Sequence, residues 1–184
     1  MKKSHNGDIE SLIIEHTRYL YKLAYRLTGI RESAEDLVQD LFVNLCPNDE
    51  VLRDVQHPRA WLTTVLYRAF IKNVRRENRS PFRQYRTYRC QAEEHCSNYI
   101  VENTVCEQQG PEGQTAQSQL KEHLAAALNK INEDQRSVLI LHDVEGYTLL
   151  ELEAMMEVPV GTLKSRLHRA RNKLEGLLKP KNLL

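Results

Sequence analysis

The sequence predicts an all-α protein: two small helical domains joined by a linker, the C-terminal domain a helix-turn-helix. Three observations predict it. Apolar residues recur at steps of three and four in long segments, the period of one helical face. Seven Gly and six Pro in 184 residues argue against a β-rich, turn-dense chain. The periodicity fails from about Arg79 to Gln119, where Pro81, Asn98, Asn103, Gly110 and Gly113 stand among many Gln and Glu. The division is therefore 8–79 for the first domain, 80–119 for an acidic flexible linker and 120–178 for the second domain.

The first helix is expected from about Asp8 to Leu27, with Ile9, Leu12, Ile13, His16, Leu20, Leu23 and Leu27 at helical spacing and Gly29 as its C-terminal stop. Ser33 is expected to open the second helix, with Glu35 and Asp36 in the first turn, where negative charge suits the helix dipole. Its apolar face is Ala34, Leu37, Val38, Leu41, Phe42 and Leu45; its outer face is Glu35, Asp36, Gln39, Asp40 and Asn44. Pro47 ends it, and a short apolar piece around Val51–Val55 interrupts a polar connection. Pro58 then takes a favoured first-turn position in a third helix. Trp61, Leu62, Val65, Leu66, Ala69 and Val74 form its expected buried stripe, and the helix runs out into VRRENR.

In the second domain, Leu120, Leu124, Ala127, Leu128 and Ile131 mark one helix and residues 135–144 another, which Gly146 ends. Thr148 and Glu151 have the spacing of a capping box for a short helix to about Met156. Val158-Pro159 turns the chain into VPVGTLKSRLHRARNKL. There Val160, Leu163, Leu167, Ala170, Leu174 and Leu177 share one face. Ser165, His168, Arg169 and Asn172 lie opposite, flanked by Lys164 and Arg171 on one edge and Arg166 and Lys173 on the other. A short helix, a tight turn and a basic amphipathic helix describe a helix-turn-helix, whose second helix lies in the DNA major groove.

Charge distribution adds to this. The net charge is only +1, but residues 67–89 hold eight Lys and Arg against Glu77 alone, and 160–178 hold five against Glu175. Residues 90–117 hold five Glu and no Lys or Arg. Two basic blocks around an acidic spacer imply two polyanion contacts. No apolar run nears the ~20 residues that span a bilayer, and MKKSHNGDIE lacks the apolar region of an export signal. A cytoplasmic location without membrane insertion is expected. Cys46, Cys90, Cys96 and Cys106 are then reduced thiols. Cys90, His95, Cys96 and Cys106 can be read as a metal or redox cluster, but their spacings match no common zinc pattern, and incidental thiols are the favoured reading. No Gly-rich phosphate loop, metal-ligand spacing or nucleophile motif is visible, so neither a cofactor nor an enzymatic activity is expected.

VPVGTLKSRLHRARNKL resembles the C-terminal signature of extracytoplasmic-function (ECF) sigma factors of bacterial RNA polymerase, and INEDQRSVLILHDVEGYTLLEL resembles its lead-in. YRLTGIRESAEDLVQDLF and HPRAWLTTVLYR, followed by VRRENR, resemble blocks of that family's first domain. The resemblance covers roughly residues 10–79 and 120–178. It implies a polymerase specificity subunit that directs promoter-specific initiation. Its first domain would dock on the clamp of the largest polymerase subunit and read the −10 element, and its second would read the −35 element as duplex.

The resemblance implies clamp binding for Asp36, Gln39 and Asp40. It implies −10 contact for Arg68, Lys72, Arg75, Arg76 and Arg79, with Trp61 packing the core first and supporting the open strand second. At the −35 element it implies Lys164, Ser165, His168 and Arg169, with Thr162 and Arg166 beside them. A membrane-bound anti-sigma factor is a further partner that the family offers. Family members commonly carry Asn and Asp where this chain has Arg68 and Lys72, a small residue where it has Glu153, and often Gly where it has Glu157. The last two imply a locally altered turn or a one-residue shift of the short helix. The competing reading is a regulator that binds an operator without polymerase; DLVQD and the basic block at 67–89 favour the polymerase subunit.

Overall fold

The computed structural model describes residues 6–45, 55–79, 120 and 123–179, with side chains in the first segment from Ile14 onward. The chain divides into two units, Met1–Glu93 and Glu94–Leu184. The expected piece around Val51–Val55 falls largely outside the described residues, as do Arg83, Arg86, Arg89, His95 and all the cysteines.

Gly29 sets the first corner. Helix α1, Asn6–Thr28, ends where Gly29 takes φ +73° and donates its N–H to the Tyr25 carbonyl at 2.8 Å. Helix α2, Arg31–Leu45, begins two residues before the expected start. Ser33 is thus inside the helix and is not its cap; Ile30 supplies the first acceptor, to the N–H of Ala34 at 3.0 Å. Helix α3, Pro58–Arg79, is the third helix among the described residues of the unit. Leu20, Leu23, Leu27, Leu37, Leu41, Leu62 and Leu66 are fully buried between the three helices.

The buried stripe of α3 is rotated from the expected one. Leu62, Thr63, Leu66, Tyr67 and Phe70 are buried, while Trp61, Val65, Ala69 and Val74 are only half-buried. Thr63 explains how a polar residue enters the core. Its hydroxyl donates to the Arg59 carbonyl at 2.8 Å, so its oxygen accepts from the Tyr19 hydroxyl at 2.9 Å. The Arg59 guanidinium lies 4.0 Å from the centre of the Tyr19 ring, so α1 and α3 are joined by polar as well as apolar contacts.

In the second unit, helical residues 123–129 (α4) precede α5, Glu133–Leu139, which is capped by Asn132 accepting from the Asp134 N–H at 3.0 Å. The expected single helix over 135–144 widens at its end into a π-turn, Ile140–Val144, closed by the Glu145 N–H on the Ile140 carbonyl at 3.0 Å. Gly146, at φ +82°, follows. Helix α6, Leu149–Met156, opens on the expected capping box of Thr148 and Glu151, and helix α7, Val160–Leu178, follows the turn. Val138, Ile140, Leu141, Leu152, Leu163 and Ala170 are fully buried between α5, the π-turn, α6 and α7.

Glu153 and Glu157 correct the expected alteration of the turn. Glu157 itself takes the left-handed conformation, φ 57° and ψ 39°, with its N–H on the Glu153 carbonyl at 2.9 Å. The helix therefore ends in register, with a glutamate in the conformation that glycine favours. Glu153 is exposed, and its carboxylate Oε1 accepts the Val160 N–H at 3.0 Å. Pro159, at the N-cap of α7, provides no side-chain acceptor, so Glu153 supplies one from the preceding helix.

Candidate nucleic-acid interface

Helix α7 buries Leu163, Leu167 and Ala170 and turns Thr162, Lys164, Ser165, His168, Arg169 and Asn172 to solvent. Ser165 Oγ donates to the Thr162 carbonyl at 2.8 Å, which holds that hydroxyl close to the helix surface. Asn172 Nδ2 donates to His168 Nε2 at 3.1 Å. The exposed face thus offers two flexible cations, two hydroxyls, an imidazole and an amide, which suits phosphate and base-edge contacts.

Two of the basic side chains are turned back. Arg166 Nη2 lies 2.8 Å from Asp134 Oδ2, and only about a quarter of its side chain is exposed. From its place on the flank of α7 it reaches the first turn of α5. Arg171 holds Asp143 through both carboxylate oxygens, Nε to Oδ2 at 2.9 Å and Nη2 to Oδ1 at 2.5 Å. These hydrogen bonds hold the Asp143 carboxyl below the usual carboxylate range and raise the Arg171 guanidinium above its ordinary value. Within the same π-turn, His142 Nδ1–H donates to the Tyr147 carbonyl at 2.7 Å.

In the first unit, Arg68, Lys72, Arg75, Arg76 and Arg79 are all exposed. At about 100° per residue they fall within roughly 60° of Trp61, on the side of α3 away from its buried stripe. Trp61 therefore heads this basic face instead of packing the centre of the core, a correction that follows from the rotated stripe. Its ring is half-buried, as suits an amphipathic side chain at a boundary. On α2, Asp36, Gln39 and Asp40 are exposed on one face. Val43 joins them at 71% exposure. The sequence reading missed Val43; its i+3 and i+4 spacing from Asp40 and Gln39 was the available signal. Among the described residues, no group of three or more His, Cys, Asp or Glu could hold a metal ion, and no helix is long and apolar enough to cross a membrane.

Two family models match in chain order: sigma-70 region 2 over residues 12–80 and sigma-70 region 4 over 121–174. The ECF RNA polymerase sigma factor EcfG of Rhodopseudomonas palustris is 33% identical over 159 residues, covering 86% of this chain and 78% of that protein. SigE of Mycolicibacterium smegmatis, also an ECF RNA polymerase sigma factor, is 31% identical over 174 residues. That alignment takes in 92% of this chain but 61% of the longer relative. Among solved structures, the sigma factor RpoE of Bartonella quintana, in complex with the anti-sigma factor NepR, matches at a TM-score of 0.63 and 23% identity, over 95% of this chain and 98% of that one. With both sigma-70 regions matched in order around these basic helix faces, the chain belongs to the extracytoplasmic-function family of RNA polymerase sigma factors.

Proposed function

We propose that this chain binds core RNA polymerase and directs it to a specific set of promoters, with no chemistry of its own. The observation that carries the reading is the pair of exposed basic helix faces, on α3 and α7, one in each matched sigma-70 region. The first domain, 8–79, reads the −10 element through Arg68, Lys72, Arg75, Arg76 and Arg79, with Trp61 at the head of that face where an unpaired base can stack. The second, 120–178, places Thr162, Lys164, Ser165, His168 and Arg169 in the major groove of the −35 element. Residues 80–119 link them. Asp36, Gln39 and Asp40 on α2, with Val43, dock on the polymerase clamp: three polar groups around one exposed apolar side chain make a small protein-binding surface. The chain works in the cytoplasm, and an anti-sigma factor, as in the RpoE–NepR complex, restrains it.

Run-off transcription on a genomic fragment library tests the function, with core polymerase alone and with the chain added. New start sites should depend on both components. Equal template use with and without the chain overturns the reading. Reversing both charges, Asp36→Lys with Asp40→Lys, should abolish capture of core polymerase while α7 still binds duplex DNA. Unchanged capture would remove α2 from the docking surface.

A further inference from the structure

We infer that Arg166 and Arg171 are positioning residues: ion-paired to opposite ends of one helical segment, they fix the rotational setting of α7 and so control promoter discrimination without touching DNA. The inference rests on the −35 role proposed above for α7. The buried residues Leu163, Leu167 and Ala170 define the side of α7 that faces the rest of the unit. At about 100° per residue, Arg166 and Arg171 each stand roughly 70° from the centre of that side, one on each flank. They are five residues apart, about 7.5 Å along the axis. Arg166 reaches Asp134 in the first turn of α5, and Arg171 reaches Asp143 in the π-turn that ends the same segment. A rotation of α7 in either direction therefore stretches one of the two pairs.

The wide turn carries part of this arrangement. Residues 140–144 are wound as a π-turn, and His142 in the same turn donates to the Tyr147 carbonyl at 2.7 Å. Asp143 thereby faces α7 from a turn that is itself fixed to the loop beyond Gly146. The N-terminal end of α7 is held as well, by Glu153 on the Val160 N–H.

Rotational setting matters because base reading has little tolerance. Side-chain tips lie ~5–6 Å from a helix axis, so a turn of about 20° moves them ~2 Å. The N–H···O distances of hydrogen bonds span only ~0.5 Å. A slack helix would still offer its positive charge to phosphates, yet it would present Ser165, His168 and Arg169 to base edges in several registers.

The test uses the full chain with core polymerase and promoter duplexes selected by the wild-type holoenzyme from a pool randomised across the −35 region. The ratio of affinities for the best duplex and its single mismatches is measured at several salt concentrations, for wild type, Arg171→Gln, Asp143→Asn, the exchange Asp143→Arg with Arg171→Asp, and Arg169→Ala as a base-contact control. Arg171→Gln and Asp143→Asn should each lower the discrimination ratio at least about threefold, a part of the ~5- to 150-fold that one good base contact supplies. Both should leave the salt slope unchanged, and the exchange should recover most of the lost discrimination, an outcome that a loss of stability alone would not produce. A phosphate role for Arg171 predicts otherwise: Arg171→Gln lowers the slope by about 0.9, and Asp143→Asn, freeing the guanidinium, tightens binding to every duplex. That result overturns the proposal, as do unchanged ratios in both single variants beside a blurred Arg169→Ala. A wild-type holoenzyme with no preference across the randomised region would instead remove the −35 reading of α7, and the tether with it.

Discussion

Glu157→Gly should stabilise the second unit, although it deletes a charged side chain at a solvent-exposed turn. Glu157 sits at φ 57° and ψ 39°, where the Cβ of an L-residue crowds the following carbonyl oxygen at a cost of ~1–2 kcal/mol. Glycine escapes that cost but loses more backbone freedom on folding, about 0.5–1 kcal/mol. The difference leaves a gain of roughly 0.5–1 kcal/mol, or about 2–8 °C in Tm for a unit of this size. The control is Glu157→Ala, which removes the same carboxylate yet keeps the Cβ, so the step from Ala to Gly isolates the backbone contribution. Thermal unfolding followed by helical circular dichroism reads both units. The emission of Trp61, the only tryptophan in the chain, reads the first alone and should not move. If the Gly variant melts no higher than the Ala variant, the left-handed glutamate carries no strain and the reasoning fails.

Three further outcomes follow from the same geometry. Glu153→Ala should cost the second unit about 1 kcal/mol by removing the acceptor on the Val160 N–H; urea unfolding of the full chain checks it, and an unchanged midpoint would show that water caps α7 as well. Thr63→Val should cost the first unit about 1–2 kcal/mol, with Tyr19→Phe adding little to it, because both remove one shared hydrogen bond; fully additive losses would place the two hydroxyls in separate interactions. Asp143, held below its unfolded pKa by Arg171, contributes stability that is present above about pH 4 and lost as the pH falls through the lower folded value. Asp143→Asn should therefore flatten the acid limb of the second unit's unfolding curve, and an unchanged limb would show that the pair does not couple to folding.

The fold was legible in the sequence because helices announce themselves by period and by their ends. Gly29, Gly146 and the Thr148–Glu151 box fall where those residues should, and the apolar face of α2 is buried as its spacing demands, except that Phe42 is only half-covered. What failed was the choice of face on α3. Hydrophobicity alone puts Trp61 inside, but Trp carries a polar edge and is seldom wholly buried. Thr63 and Tyr67 go inside in its place, Thr63 because Tyr19 and the Arg59 carbonyl satisfy its hydroxyl. That partner lies 44 residues away on another helix, and no local window shows it. The π-turn was hidden for a related reason: an apolar run such as Val138–Leu141 is buried whichever helical winding it takes.

The candidate interface shows the same boundary between what a wheel reveals and what it cannot. Periodicity correctly set Lys164, Ser165, His168 and Arg169 outward and Arg166 and Arg171 on opposite flanks. It could not tell a flank cation that meets a phosphate from one that meets an aspartate. Asp134 and Asp143 precede their partners by about thirty residues, and their reach to α7 depends on how two helices cross and on one wide turn. Five basic residues on α7 therefore do not make five phosphate contacts. Two are ion-paired within the unit, and Lys164, Arg169 and Lys173 remain as the exposed cations of α7 that no carboxylate among the described residues is seen to hold. On the −35 role proposed for α7, non-specific attraction scales with those three, whereas discrimination depends on how firmly the other two hold the helix that carries them. A basic helix can thus be strongly charged in sequence and sparing in the charge it offers to DNA.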